Sequence, residues 1–120
     1  MKDSIKMWWD FAIRDLKAAK KNYEIEEYHV AAFLAQQSVE KALKALLIRN
    51  TGSFPKIHDL TRLARMLNAP ENILRLCASI TPAYTATRYP DVLSEFNKEE
   101  VEKIIEYAEK VIKWVKRQLT

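Results

Sequence analysis

Apolar positions recur at steps of three and four along most of this chain, the spacing of one helical face. Ile5, Trp8, Trp9, Ala12, Leu16, Ala19 and Tyr23 form the first stripe and predict a helix over residues 4–23. Lys17, Lys20 and Lys21 fall off it, on a face read as solvated. A second helix is predicted from residue 26 or 27 to residue 49, rich in alanine and leucine, both strong helix formers. Its pattern is broader than the first. Ala32, Val39, Leu43 and Leu46 make one apolar side, and Val30, Phe33, Leu34 and Ile48 a nearly opposite one. A helix apolar on two sides is sandwiched, either centrally in a bundle or between a bundle and a second subunit. Gln37, Lys41 and Lys44 interrupt the second side with polar groups.

The breaks follow from local chemistry. Residues 50–55 read as a loop, with Gly52 suited to the positive φ of a helix C-cap. Asp59 is placed to cap a short helix carrying Leu60, Leu63, Ala64 and Leu67. Residues 68–71 stop that helix and restart another, with Pro70 in its first turn. The next helix holds Ile73, Leu76, Cys77, Ile80 and Tyr84 on one face, and Pro82 predicts a kink or break inside it. Residues 88–91 should be extended ahead of and through Pro90. Asn97 to Glu100 resembles a capping box for a last helix. Its core stripe is Val101, Ile104, Ile105, Ala108, Val111, Ile112, Val115 and Leu119. Acids come early and bases late along it, matching the helix macrodipole. Tyr107 and Trp114 form a second stripe, read either as interface residues or as packing beneath the first helix's tryptophans.

These elements predict an all-α protein, an up-and-down bundle of four long helices plus one short helix, with residues 1–120 as a single domain. Composition narrows the function classes. One glycine in 120 residues excludes Gly-rich phosphate cradles and argues against hairpin-rich folds. A lone cysteine and two histidines leave no disulfide and no evident metal centre, and no cofactor is predicted. No signal-peptide core or membrane-spanning run is visible, so a cytoplasmic protein is expected. A net charge of +4 permits a phosphate-bearing partner without demanding one.

Three constellations carry candidate chemistry. In Gln36-Gln37-x-x-Glu40-Lys41-x-x-Lys44, Gln37, Lys41 and Lys44 share a face. They either line an anion-binding cleft or snorkel to solvent, and Glu40 and Lys44 can pair along the helix. His58, next to the Asp59 cap, is either structural or a proton acceptor. Tyr84 and Arg88 stand one turn apart, suited to stacking and to clamping phosphate. The alternative is an Arg88–Asp91 ion pair that locks the loop. Arg14-Asp15 adds a charge pair read as helix pairing.

Residues 33–46, followed by His58-Asp59-Leu60 and Arg88-Tyr89-Pro90, resemble the HEPN domain (higher eukaryotes and prokaryotes nucleotide-binding). Arg14-Asp15-Leu16 and Tyr28 fit as well, so the resemblance spans from about Trp8 to Trp114. It implies a helical bundle, a homodimer and, in prokaryotes, a minimal nucleotidyltransferase partner in toxin–antitoxin-like pairs. Many such proteins are metal-independent ribonucleases in which four to six residues separate an arginine from a following histidine on one helix. Neither histidine here has that spacing: His29 lies fifteen residues after Arg14 and His58 nine after Arg49. What carries over is nucleotide or RNA binding, with Gln37, Lys41, Lys44, His58, Tyr84 and Arg88 as ligand candidates. The alternatives are a ribonuclease with a rearranged site, in which His58 is the base and Arg88 the phosphate clamp, and a purely structural interaction module. An intact mass of the protein co-expressed with its partner would show whether a tyrosine such as Tyr84 or Tyr89 is modified.

Overall fold

The structure is a computed structural model that describes residues 2–89 and 96–120. Six helices follow one another: α1 (Asp3–Glu24), α2 (Tyr28–Thr51), α3 (Leu60–Met66), α4 (Glu71–Ile80), α5 (Pro82–Ala86) and α6 (Lys98–Leu119). No strand occurs among the described residues. The all-α bundle is as predicted, with one difference in its count. Three helices are long, and the fourth predicted long helix is split into α4 and α5. Pro82 explains the split. It has no N–H to give the preceding turn, its ring excludes the α-helical carbonyl one turn back, and it takes the first position of a new helix.

The ends of the helices match local chemistry. Gly52 closes α2 with φ of 86°, its N–H bonded to the Ile48 carbonyl. The Asp59 carboxylate accepts from the Thr61 and Arg62 amides and starts α3. Asn97 accepts from the Glu100 amide at 2.9 Å and starts α6. After α3, Asn68 adopts φ of 54°, a left-handed turn that asparagine tolerates better than most residues.

α2 is the central element, packing on α1, α3, α5 and α6. Its long seam with α1 is built from small side chains. Ala12 and Ala19 of α1 and Ala31, Ala32, Ala35 and Ala42 of α2 are fully buried, and short side chains let helix axes approach. Leu43, Leu46 and Leu47 fill the core with Leu60, Leu63, Ile80, Val101, Val111 and Val115. Burying such a leucine is worth about 1.5–3 kcal/mol against leaving it exposed. Trp114 belongs to this core at 8% exposure, which removes it as an interface residue. Tyr107 packs beside the core, half-buried. Cys77 is fully enclosed, and burial pushes its thiol up to about 12, with the Asp59 charge adding to the effect. No helix is long and apolar enough to cross a membrane among the described residues.

One face of α2 is left partly open. Val30 is exposed, and Phe33, Gln37 and Lys41 are half-buried along it. On α1 beside it, Met7 and Phe11 are exposed large apolar residues.

Candidate phosphate-binding site

The site begins with a buried carboxylate. Glu40 sits one turn after Gln36 and one turn before Lys44 on α2, and that spacing aligns the three side chains. Lys44 Nζ donates to Glu40 Oε2 at 2.9 Å and Gln36 Nε2 to Oε1 at 3.0 Å. His58, brought in by the segment before α3, places Nδ1 at 3.1 Å from both carboxylate oxygens. Gln36 Nε2 also donates to the His58 carbonyl at 3.3 Å, which ties the loop to the helix. Gln37 Nε2 donates to Gln36 Oε1 at 2.8 Å and extends the network outward. Among the described residues, no buried side-chain nitrogen or oxygen is left without a partner.

A column of rings stands over this network. The His58 imidazole stacks on Tyr84 of α5, with centroids 4.3 Å apart and planes 16° apart. The Arg88 guanidinium carbon lies 4.5 Å from the same Tyr84 centroid, a cation–π contact. Phe33 of α2 lies beyond, 6.5 Å from Tyr84. Tyr84 therefore gives its ring to its own neighbours and acts as the shelf against which both His58 and Arg88 rest. Arg88 itself sits in the turn after α5, its amide bonded to the Thr85 carbonyl. His58 has 48% of its side chain exposed, so its outer edge meets solvent. A surface depression of about 290 Å³ beside Arg88 is lined by His29, Val30, Phe33 and Thr87.

The six ligand candidates are thus not equivalent. Tyr84 touches both His58 and Arg88, and Gln37 joins His58 through Gln36 and Glu40. Lys44 does not snorkel and does not face an open cleft. Its side chain is 5% exposed, paired with Glu40, with its ammonium 5.2 Å from the Phe54 ring and 6.0 Å from the Trp8 ring. Desolvation explains this, because a charge taken out of water stays where its counter-ion is. Lys41 is bound to Asp15 of α1, a buried carboxylate that also takes Arg14 at 3.3 Å. It opens on a separate depression of about 210 Å³ with Met7, Trp8 and Phe11. The Arg88–Asp91 pairing and the extended run through Pro90 lie outside the described residues.

Three contributors escaped the sequence-level candidates. Glu40, expected to pair with Lys44 along the helix, does so and is also the hub that Gln36 and His58 meet. Asp15, expected to serve helix pairing, binds Lys41 across the α1–α2 seam. His29, off the core stripe, lines the depression beside Arg88 and meets Phe96 edge-on at 6.2 Å. The signal available for Glu40 was the repeated step of four from Gln36 to Glu40 to Lys44, which stacks three polar groups on one line of a helix rich in alanine and leucine.

A helical bundle of this size with its polar cluster on the second helix matches a defined class of protein. The model of the HEPN domain matches residues 5–118, and the chain belongs to the HEPN domain family. Among solved structures it is similar to an archaeal HEPN homologue, with 32% identity, 100% of both chains covered and a TM-score of 0.83. It is also similar to a protein from Thermus thermophilus, with 25% identity, 94% of this chain and 96% of that one covered, and a TM-score of 0.87. An HEPN domain protein from Thermotoga maritima gives 25% identity, 94% and 97% coverage and a TM-score of 0.74. None of the curated proteins matches. The family supports a role connected with nucleotides or RNA.

Proposed function

We propose that this protein is a homodimer that binds a nucleotide or RNA phosphate at Arg88 and His58. The observation that carries the reading is the shared Tyr84 ring, which stacks the His58 imidazole at 4.3 Å and takes the Arg88 guanidinium at 4.5 Å. Arginine offers phosphate a planar fork of donors, and histidine adds an N–H when protonated. Gln37 stands at the rim as a neutral donor or acceptor, and Lys41 adds positive charge further along α2. The uncovered apolar residues Met7 and Phe11 of α1 and Val30 of α2 support a dimer, because exposed apolar surface is what subunits cover. Family membership supports a cytoplasmic protein paired with a separate minimal nucleotidyltransferase in a toxin–antitoxin-like module. Calorimetric titration of the purified protein with ATP, GTP and short RNA tests the binding. A folded dimer that binds none of them overturns the reading. Co-purification with a nucleotidyltransferase encoded in the neighbouring reading frame tests the pairing.

One observation favours a second reading, a metal-independent ribonuclease. His58 Nδ1 is held by Glu40, which leaves Nε2 free to move a proton during attack by a 2′-hydroxyl while Arg88 steadies the phosphate. RNA cleavage by the wild-type protein that is lost in His58→Ala supports this reading. Unchanged cleavage by His58→Ala eliminates it.

A further inference from the structure

The carboxylate behind His58 decides what the imidazole presents to solvent. Glu40 is 5% exposed and takes hydrogen bonds from Gln36 and Lys44 as well as His58. A carboxylate only accepts, so the hydrogen on Nδ1 is the one that points at Glu40. Nε2 is then the remaining ring nitrogen, on a side chain that is half exposed. In the neutral ring that atom carries a lone pair, which opposes an anionic oxygen. In the imidazolium it carries a second N–H, which donates to one.

Charges of both signs surround the ring: Glu40 of α2 and Asp59, the next residue in the chain, are the acids, and Lys44, bound to Glu40 at 2.9 Å, and Arg88, against the Tyr84 ring, are the bases. A phosphodiester arriving at the exposed edge of His58 adds a negative charge beside the ring, and an opposite charge favours the protonated form in the complex.

Resting on the reading that Arg88 and His58 hold phosphate, we propose that Glu40 is a positioning residue that makes His58 a proton-dependent donor, so that capture of a phosphodiester takes up a proton. The carboxylate fixes which nitrogen faces the ligand and stabilises the charge the ring gains. Affinity then falls as pH rises, by at most roughly tenfold per pH unit where a whole proton is taken up.

The probe is an oligouridylate of about eight residues without terminal phosphates, which has no group that titrates between about pH 6 and pH 8. Titration calorimetry in two buffers of different ionisation heat, near pH 7, reads the proton uptake directly. The expected result is a buffer-dependent heat that reports net uptake, and a Kd that rises several-fold from near pH 6 to near pH 8. His58→Asn keeps a neutral donor and removes the titrating group, so it should bind more weakly near pH 6, with no uptake and a flat pH profile. Glu40→Gln should retain binding with uptake reduced. If that variant fails to fold by circular dichroism, His58→Asn decides alone. Equal heats in both buffers with a pH-independent Kd overturn the proposal, as does uptake that persists in His58→Asn. Failure of oligouridylate to bind also overturns it, while binding of ATP or GTP in the same protein would leave the wider reading standing.

Discussion

Lys44→Met exposes how the charges inside α2 are held. Lys44 and Glu40 are 4% and 5% exposed, and their ion pair spans 2.9 Å. Removing one member of a buried pair costs about 3–5 kcal/mol, mostly because the other charge is stranded. Glu40 keeps two other donors, Gln36 at 3.0 Å and His58 at 3.1 Å, so the lower end applies, about 3 kcal/mol. Methionine preserves much of the lysine stem beside Trp8 and Phe54, which keeps any cavity small. In a domain of this size about 1 kcal/mol moves Tm by roughly 4 °C, so the melting point should drop by about 12 °C. Urea unfolding should show a lower midpoint at unchanged slope. Adding Glu40→Gln removes the stranded charge and should return at least about 1 kcal/mol. A Lys44→Met protein within about 0.5 kcal/mol of wild type, or a double variant less stable than the single one, would refute the reasoning.

Other expectations follow from single features. Arg88→Ala should leave the circular dichroism spectrum unchanged while weakening oligonucleotide binding at least roughly tenfold, since a charge-assisted donor to phosphate is lost. Unaltered affinity in that variant would remove Arg88 from the site. Gly52→Ala should cost about 1 kcal/mol in a thermal melt, because φ is 86° there while nothing lies within 4 Å of an added Cβ. The Cys77 thiol, pushed up to about 12 from its ordinary 9.0, should resist a thiol reagent near pH 8 until the protein unfolds. It is neutral when protonated, and the folded state keeps that proton longer than the unfolded one. Its contribution to stability is therefore complete below about pH 9 and is lost as pH rises towards about 12, which urea midpoints across that window will show.

Much of the fold is legible locally. Periodicity found the long helices, Asp59 and Asn97 their starts, Gly52 and Pro82 their interruptions, because each of these acts within a turn or two of itself. The two-sided pattern of α2 predicts a sandwiched helix; α1, α3, α5 and α6 pack on it, while its second side stays partly open, with Val30 exposed and Phe33, Leu34 and Ile48 half-buried. The site was less legible because its contacts join distant parts of the chain. His58 meets Glu40 across eighteen positions and Lys41 meets Asp15 across twenty-six. No local rule pairs such residues. Helical spacing placed Lys41 and Lys44 together with Gln37, yet their counter-ions separate them. One is drawn to α1 and the other stays within α2. Tyr84 and Arg88 were correctly paired at one turn, while the histidine that completes the column arrives through the third dimension.

The interruption at Pro82 gives the site two mechanical halves. Glu40 and Gln36 belong to a helix of 24 residues locked on four neighbours, whereas Tyr84 is carried by one of five residues and Arg88 by the turn after it. A short element can open without unravelling the rest, so amides from Tyr84 to Arg88 should exchange with solvent well before those of α2. Opening there lifts the Tyr84 shelf off His58 while the imidazole stays tethered to its carboxylate. One jaw of the clamp is anchored in the frame and the other hangs on a hinge.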